Sequence, residues 1–287
     1  MKKLTTLTTL LLWLISPIFA QEAEKWTLQR CVNEALEKNI SVLQNQLQGE
    51  IAQNNLEQSQ LSRIPTLSGS GSHNYNIGRT IDPFTNTFVN QTIQSNGFAI
   101  NSGVLLYGGG QIKNTINQNK TAHQANEQSI QVVKNQVALQ VASTYLQIIQ
   151  AEENLKIAKS QQELTNNQLI RAEKLVKSGA TNQSTVLNLK AQSANDRVQI
   201  INAQTQIELA YNAMRNLLQI APNAPFAIQT ETAIELPSMP NETVTSIYED
   251  ALLKMPEIKQ AELTIAQRKY TEQIAKAGLQ PTLSAYG

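Results

Sequence analysis

QIKNTINQNKTAHQANEQSIQVVKNQVALQVASTYLQIIQAEENLKIAKSQQELTNNQLIRAEKLVK, residues 111–177, contains neither proline nor glycine. As one helix these ~67 residues would span about 100 Å, several times the length of an ordinary globular helix. The apolar positions Ile130, Val133, Val137, Val141, Tyr145, Ile148 and Leu155 recur close to every 3.5 residues, the spacing of coiled-coil packing. Ser178-Gly179-Ala180-Thr181-Asn182 breaks the run. Gly179 suits a helix C-cap, and Thr181 or Asn182 an N-cap. Residues 182–219 resume the helical spacing with Val186, Leu189, Val198, Ile201, Ile207, Leu209 and Leu217. Two long helices joined by so short a turn form an antiparallel hairpin.

On the N-terminal side the period changes. Gly108-Gly109-Gly110 precedes the long helix, and before it two stretches alternate with period two. In residues 66–77, Leu67, Gly69, Gly71, His73, Tyr75 and Ile77 share one side, and Thr66, Ser68, Ser70, Ser72, Asn74 and Asn76 the other. In residues 92–106, Phe98, Ile100, Val104 and Leu106 oppose Ala99, Asn101, Gly103 and Leu105. A strand with one polar and one apolar face suits a barrel wall between lumen and lipid. Both stretches exceed the ~9–11 residues that cross a bilayer as tilted strand. Arg79 to Asn90, with Asp82-Pro83 and several Asn and Thr, reads as the connecting loop. Upstream again, Leu28, Val32, Leu36, Ile40, Leu43, Leu47, Ile51 and Leu56 predict a helix over 27–62, ended by Pro65. This helix and that of 182–219 total about 74 residues, so stacked end to end they match the long helix.

The chain repeats itself. Shifted by 216 positions, Ala35 and Leu36 fall on Ala251 and Leu252, Lys38 on Lys254, Gln44 on Gln260 and Leu47 on Leu263. Pro65-Thr66-Leu67-Ser68 falls on Pro281-Thr282-Leu283-Ser284. Each copy is a supersecondary unit. Residues 21–241 form the first: helix 27–62, strands 66–77 and 92–106, helices 111–177 and 182–219, and a connector over 221–241 carrying Pro222, Pro225, Pro237 and Pro240. Residues 242–287 begin the second, with a helix to about 277 interrupted at Met255-Pro256.

Residues 1–20 read as a secretory signal: Lys2 and Lys3, an apolar stretch from Leu4 to Ile15, and a cleavage site after Ala20. Past it no stretch is apolar and long enough for a membrane helix, so entry into a membrane would be through strands. The 287 residues carry a formal net charge of +1, which gives no reason to expect a nucleic acid partner. Gln and Asn supply roughly a fifth of the chain, above common usage, and lie on the wet sides of the helices. Cys31, the only cysteine, falls on an apolar helix stripe and reads as a small buried hydrophobe.

Catalytic and cofactor-binding patterns do not emerge. His73 and His123 stand far apart without ligand clusters, Glu152-Glu153 reads as a solvated pair, and the triple glycine lacks the Gly-Lys-Ser/Thr of a phosphate loop. The chain is expected to be no enzyme and to hold no metal or cofactor. A secreted structural coiled-coil protein is one rival; it explains the helices but not the alternating strands or the repeated Pro-Thr-Leu-Ser junction.

The order of signal, helix, Pro-Thr-Leu-Ser strand, hairpin, Leu106-Tyr107-Gly108-Gly109-Gly110, long helix, Ser-Gly-Ala-Thr-Asn turn and return helix resembles the TolC family of outer-membrane efflux proteins. Gly78-Arg79-Thr80-Ile81-Asp82-Pro83 through Thr85-Asn86-Thr87-Phe88-Val89-Asn90 is similar to the hairpin of members from Bacteroidetes-like bacteria. The resemblance implies a mainly α fold: a long antiparallel coiled-coil hairpin plus two β-barrel strands, within a TolC-like α/β-barrel duct. It further implies a homotrimer in outer-membrane lipid with its helical part in the periplasm. A periplasmic adaptor would couple this passive duct to an inner-membrane pump, and small-molecule efflux or type I protein secretion would share the architecture. By the same resemblance Leu175, Val176, Ser178, Gly179, Ala180, Thr181, Asn182, Val186 and Leu187 lie at or near the adaptor-docking tip. Two further strands and a second long hairpin of the family pattern are not in these 287 residues, so the chain is expected to be the front part of a longer product.

Overall fold

The computed structural model describes residues 25–230 and 243–287. The expected signal segment 1–20 and most of the expected connector 221–241 lie outside them. In chain order the elements are β1 (Lys25–Trp26), α1 (Leu28–Lys38), α2 (Ile40–Leu61), β2 (Thr66–Ile81), β3 (Phe88–Gly108), α3 (Gln111–Lys177), α4 (Gln183–Leu218), β4 (Ala227–Ile228), α5 (Val244–Lys254), α6 (Pro256–Ala277) and β5 (Thr282–Tyr286). The described residues fall into two compact units, one within Met1–Val42 and Asn135–Met239, the other within Leu43–Lys134 and Pro240–Gly287.

In the first unit, Thr27 caps α1 by accepting the Arg30 amide at 3.3 Å. The helix expected over 27–62 is divided at Asn39, which is extended (φ −63°, ψ 128°). The Asn39 side chain does the work of helical backbone there: its Oδ1 accepts the Ser41 amide at 2.9 Å, and its Nδ2 donates to the Leu217 carbonyl at 3.0 Å. That second bond ties the break to the end of α4. The core gathers Cys31, Ala35, Val137, Val141, Tyr145, Ile148, Met214, Leu218, Phe226 and Ile228, all buried. β1 and β4 pair in parallel, Lys25 opposite Ala227. Trp26 meets Phe226 edge to face at 5.3 Å, and the Tyr145 hydroxyl donates to the Gln229 carbonyl at 2.5 Å. One phenol thus fastens the small sheet to α3.

Burial also governs the chemistry of Cys31, whose thiol is pushed up to about 11, chiefly by desolvation. The folded state therefore keeps its proton where the unfolded thiol, near 9, has lost it. Stability is expected to fall as pH rises through the window between those values. At pH 8 the folded protein should alkylate about a hundredfold more slowly than the unfolded one, which a timed iodoacetamide reaction read by mass would check.

In the second unit, β2 and β3 pair antiparallel from Thr66 opposite Gly103 to Ile81 opposite Phe88. The strands outrun the expected 66–77 and 92–106, because residues with turn-like composition continue the ladder to Ile81 and from Phe88. The turn closes with the Asp82 amide on the Thr87 carbonyl (3.0 Å) and the Asn86 amide on the Asp82 carbonyl (2.9 Å). β5 pairs with the other edge of β3, Thr282 opposite Gly108 and Tyr286 opposite Gly103, with an irregularity between Leu105 and Tyr107. The first part of α3 lies close to α2, where a Cβ on Gly49 would be 3.1 Å from Ile130. Gln118 Nε2 donates to Thr271 on α6 at 2.9 Å.

The helices after the second copy begins reproduce those of the first. α1 and α5 are both 11 residues long, and α2 and α6 both 22. Their N-caps are Thr27 and Thr243. Where Asn39 breaks the first pair, Met255 is extended ahead of Pro256, a proline at the first turn of α6.

Candidate functional site

The β2–β3 register sorts side chains onto two faces. Leu67, Gly69, Gly71, His73, Tyr75, Ile77, Arg79 and Ile81 lie with Phe88, Asn90, Thr92, Gln94, Asn96, Phe98, Ile100 and Ser102. On this face the neighbouring side chains Phe98, Ile100 and Leu67 are 88%, 77% and 76% exposed, a bare apolar cluster of the kind that marks a surface not meant for water. The other face carries Ser68, Ser70, Ser72, Asn74 and Asn76 opposite Asn101, Ala99, Gly97, Ser95 and Ile93. One sheet surface is made for hydrocarbon and the other for water. Among the described residues no helix is long and apolar enough to cross a membrane.

Strand leads to helix through Gly109 and Gly110, both at positive φ (58° and 83°). A Cβ on Gly109 would stand 2.7 Å from the Gln280 Cβ and 3.0 Å from the Ala277 carbonyl oxygen. Only glycine lets the chain turn while α6 ends against it.

The helical hairpin of the first unit has an unusually polar seam. Thr144, Thr165, Ser193 and Asp196 are buried. Ser193 Oγ donates to Asn166 Oδ1 at 2.9 Å, and Gln192 Nε2 to Asp196 Oδ1 at 2.8 Å. Polar layers of this kind set register between paired helices at some expense in stability. Between the two helices lies a groove of ≈ 630 Å³ lined by alanines such as Ala151, Ala203 and Ala210 and by amides such as Gln147, Asn154 and Gln206. Glu152 is not the solvated carboxylate that the sequence suggests, for it accepts the Tyr211 hydroxyl at 2.9 Å. Burial first, then this carboxylate, pushes the Tyr211 phenol up to about 12. Its neighbour Glu153 pairs with Lys156. Nothing in the sequence pattern flagged the Tyr211–Glu152 bond, because both positions sit among helical polar residues with no distinguishing spacing.

The nine tip residues cluster at the hairpin turn. The Ala180 amide bonds the Leu175 carbonyl at 2.9 Å and the Gly179 amide the Val176 carbonyl at 3.0 Å, the paired closure of a Schellman end with Gly179 left-handed at φ 75°. Asn182, rather than Thr181, caps α4 by accepting the Thr185 amide at 3.2 Å. Val176 and Val186 line a groove of ≈ 270 Å³ with Glu173, Lys177, Gln183 and Lys190. Val186 is only 3% exposed and holds the two helices together, whereas Leu175 and Leu187 stand out in solvent. Of the set, then, Leu175 and Leu187 offer apolar surface, Ser178 to Asn182 shape the turn, and Val186 supports it from within.

A family model described as outer membrane efflux protein matches residues 31–218, most of both units. The chain belongs to the outer membrane efflux protein family. This family makes transport ducts rather than enzymes, and membership places the protein in the outer membrane. No curated protein matches significantly. Among solved structures, the CusC transmembrane channel aligns at 21% identity and a TM-score of 0.75, covering 90% of this chain and 58% of that one. The CmeC outer membrane channel of Campylobacter jejuni aligns at 21% and 0.74, covering 90% and 55%. The outer membrane protein VceC of Vibrio cholerae aligns at 20% and 0.67, covering 90% and 61%. These likenesses establish the fold as the TolC-like barrel-and-helix architecture. The chain spans less than two thirds of the length of each.

Proposed function

We propose that the protein is the outer-membrane channel of a tripartite efflux system: a passive, trimeric exit duct for small molecules across periplasm and outer membrane. In this reading a periplasmic adaptor seats on the helical tip and an inner-membrane pump supplies the energy. The observation that carries it is the two-faced sheet. β2, β3 and β5 follow one another in the order β2-β3-β5, so one edge each of β2 and β5 has no strand beside it among the described residues. Unpaired backbone is not tolerated in hydrocarbon. The wall must therefore be completed by other strands, and closure by further copies supports the trimer. Residues 1–20 serve as a signal peptide, 21–241 as a first structural repeat and 242–287 as the start of a second. An exit duct for type I protein secretion is built alike; nothing in the described residues favours it.

The test is complementation of a strain lacking its own outer-membrane duct, with the full product, adaptor and pump supplied together. Restored resistance to small toxic compounds is expected, and continued sensitivity despite a trimer in the outer membrane would contradict the proposal. Leu175→Asp with Leu187→Asp is expected to return susceptibility to that of the duct-less strain while leaving trimer yield unchanged. Loss of the trimer instead would mean that these side chains hold the hairpin together.

A further inference from the structure

The β2–β3 hairpin is longer than a bilayer needs. β2 has 16 residues and β3 21, against the ~9–11 of a tilted membrane strand. Counted from Thr66, where helix gives way to strand, about ten residues reach Tyr75. The apolar face changes character at the same level. His73 bonds Asn96 across the pair and meets Tyr75 edge to face at 4.5 Å, with Gln94 opposite Tyr75. An amphipathic aromatic pair with amides beside it marks the rim of the hydrocarbon layer. Strand length and side-chain chemistry therefore agree on where the membrane ends.

Arg79 lies on the same outward face, four residues further on. That is about 13 Å along the strand, or about 9 Å of height at a ~45° tilt. The headgroup layer is about 5–8 Å thick on each side, so Arg79 stands at its outer rim. Arg79 is the one Asp, Glu, Lys or Arg in β2, β3 and β5 together. Its guanidinium sits over the Phe88 ring at 4.7 Å, a contact to the ring face that does not use up its N–H groups. The nearest acid in sequence, Asp82, lies in the turn beyond β2, where its Oδ1 accepts the Phe84 amide at 2.8 Å.

We propose that Arg79, steadied by Phe88, binds the phosphate of an anionic lipid in the outer leaflet. The site rests on the reading that this hairpin crosses the outer membrane. A planar guanidinium matches phosphate by paired hydrogen bonds. The bond would pin each hairpin to the leaflet at fixed height.

The full-length protein is reconstituted into nanodiscs containing bis-phosphorylated lipid A or the same lipid with its phosphates removed, and thermal unfolding and lipid titrations are compared. The phosphorylated lipid should raise the Tm of the wild type. Arg79→Gln should abolish that rise and weaken lipid binding about fivefold, with its Tm in dephosphorylated lipid equal to wild type. Arg79→Lys should keep part of the rise. An undiminished rise in Arg79→Gln would overturn the proposal. So would an equal rise on adding inorganic phosphate to dephosphorylated discs, since the ligand would then be the free ion. Labelling of Phe84→Cys on intact cells with an impermeant maleimide separates the two levels. Labelling with no effect of Arg79→Gln refutes the lipid site alone, and no labelling refutes the membrane topology on which it stands.

Discussion

Ile100→Arg is expected to cost barrel stability in the outer membrane about 2–4 kcal/mol, the depth-dependent penalty for a cation on the lipid face. That is roughly a 30- to 1000-fold shift of the folding equilibrium. Ile100 lies on the apolar face between Phe98 and Ser102, opposite Gly69, in the part of the sheet flanked by Leu67 and Val104. Its neighbours on that face are Phe98, Gly69 and Ser102, none of which carries a negative charge to receive a guanidinium. The adjacent Asn101 points the other way, opposite Ser68, so Asn101→Arg should fold and insert nearly as the wild type does. The comparison of two neighbouring residues isolates face from depth. Heat-modifiable mobility of the protein extracted from outer membranes measures it: the Ile100 variant should be depleted and the Asn101 variant present in full.

Gly109→Ala carries the second large effect. At φ 58° an alanine is strained by about 1–2 kcal/mol. Its methyl would then have to displace Gln280 Cβ, 2.7 Å away, and the Ala277 carbonyl, 3.0 Å away, at about 1–3 kcal/mol of overpacking. Neither neighbour is the free end of a long side chain, since one is a Cβ and the other backbone. Gly110→Ala makes the control. Its φ of 83° brings similar backbone strain, but its Cβ would meet nothing nearer than Asn114 at 3.7 Å. Thermal unfolding should therefore rank wild type above Gly110→Ala and both above Gly109→Ala. Equal destabilisation by the two alanines would mean that α6 does not end against the strand–helix junction.

The helical hairpin was legible because its limits are written in breakers: Gly108-Gly109-Gly110 before it and Ser178-Gly179 at the turn. The two-faced character was legible in β2, where Thr66, Ser68, Ser70, Ser72, Asn74 and Asn76 hold every second position, and less so in β3, where Asn96 and Ser102 stand on the apolar face and Ile93 on the polar one. What escaped the sequence was set by contacts between distant segments. Asn39 interrupts an unbroken apolar period, and the interruption is held by a carbonyl 178 residues away. Arg79 and Asn90 look like turn residues, yet each finds the other across the ladder. Tyr145 reads as one more apolar stripe position, while its hydroxyl fastens β4. At the turn of the helical hairpin the break was visible in Gly179 and Asn182. The division between buried Val186 and exposed Leu187 was not, since both are aliphatic and adjacent.

In the proposed topology β2 and β3 form a barrel wall with serine and asparagine toward water and the apolar face toward lipid. Single cysteines in a Cys31→Ser background test it most directly: Ser70→Cys and Ile100→Cys, each exposed in outer membranes to an impermeant, water-soluble thiol reagent. The cysteine at 70 should react readily and the one at 100 should not. Equal labelling of both, or labelling at 100 alone, would contradict it.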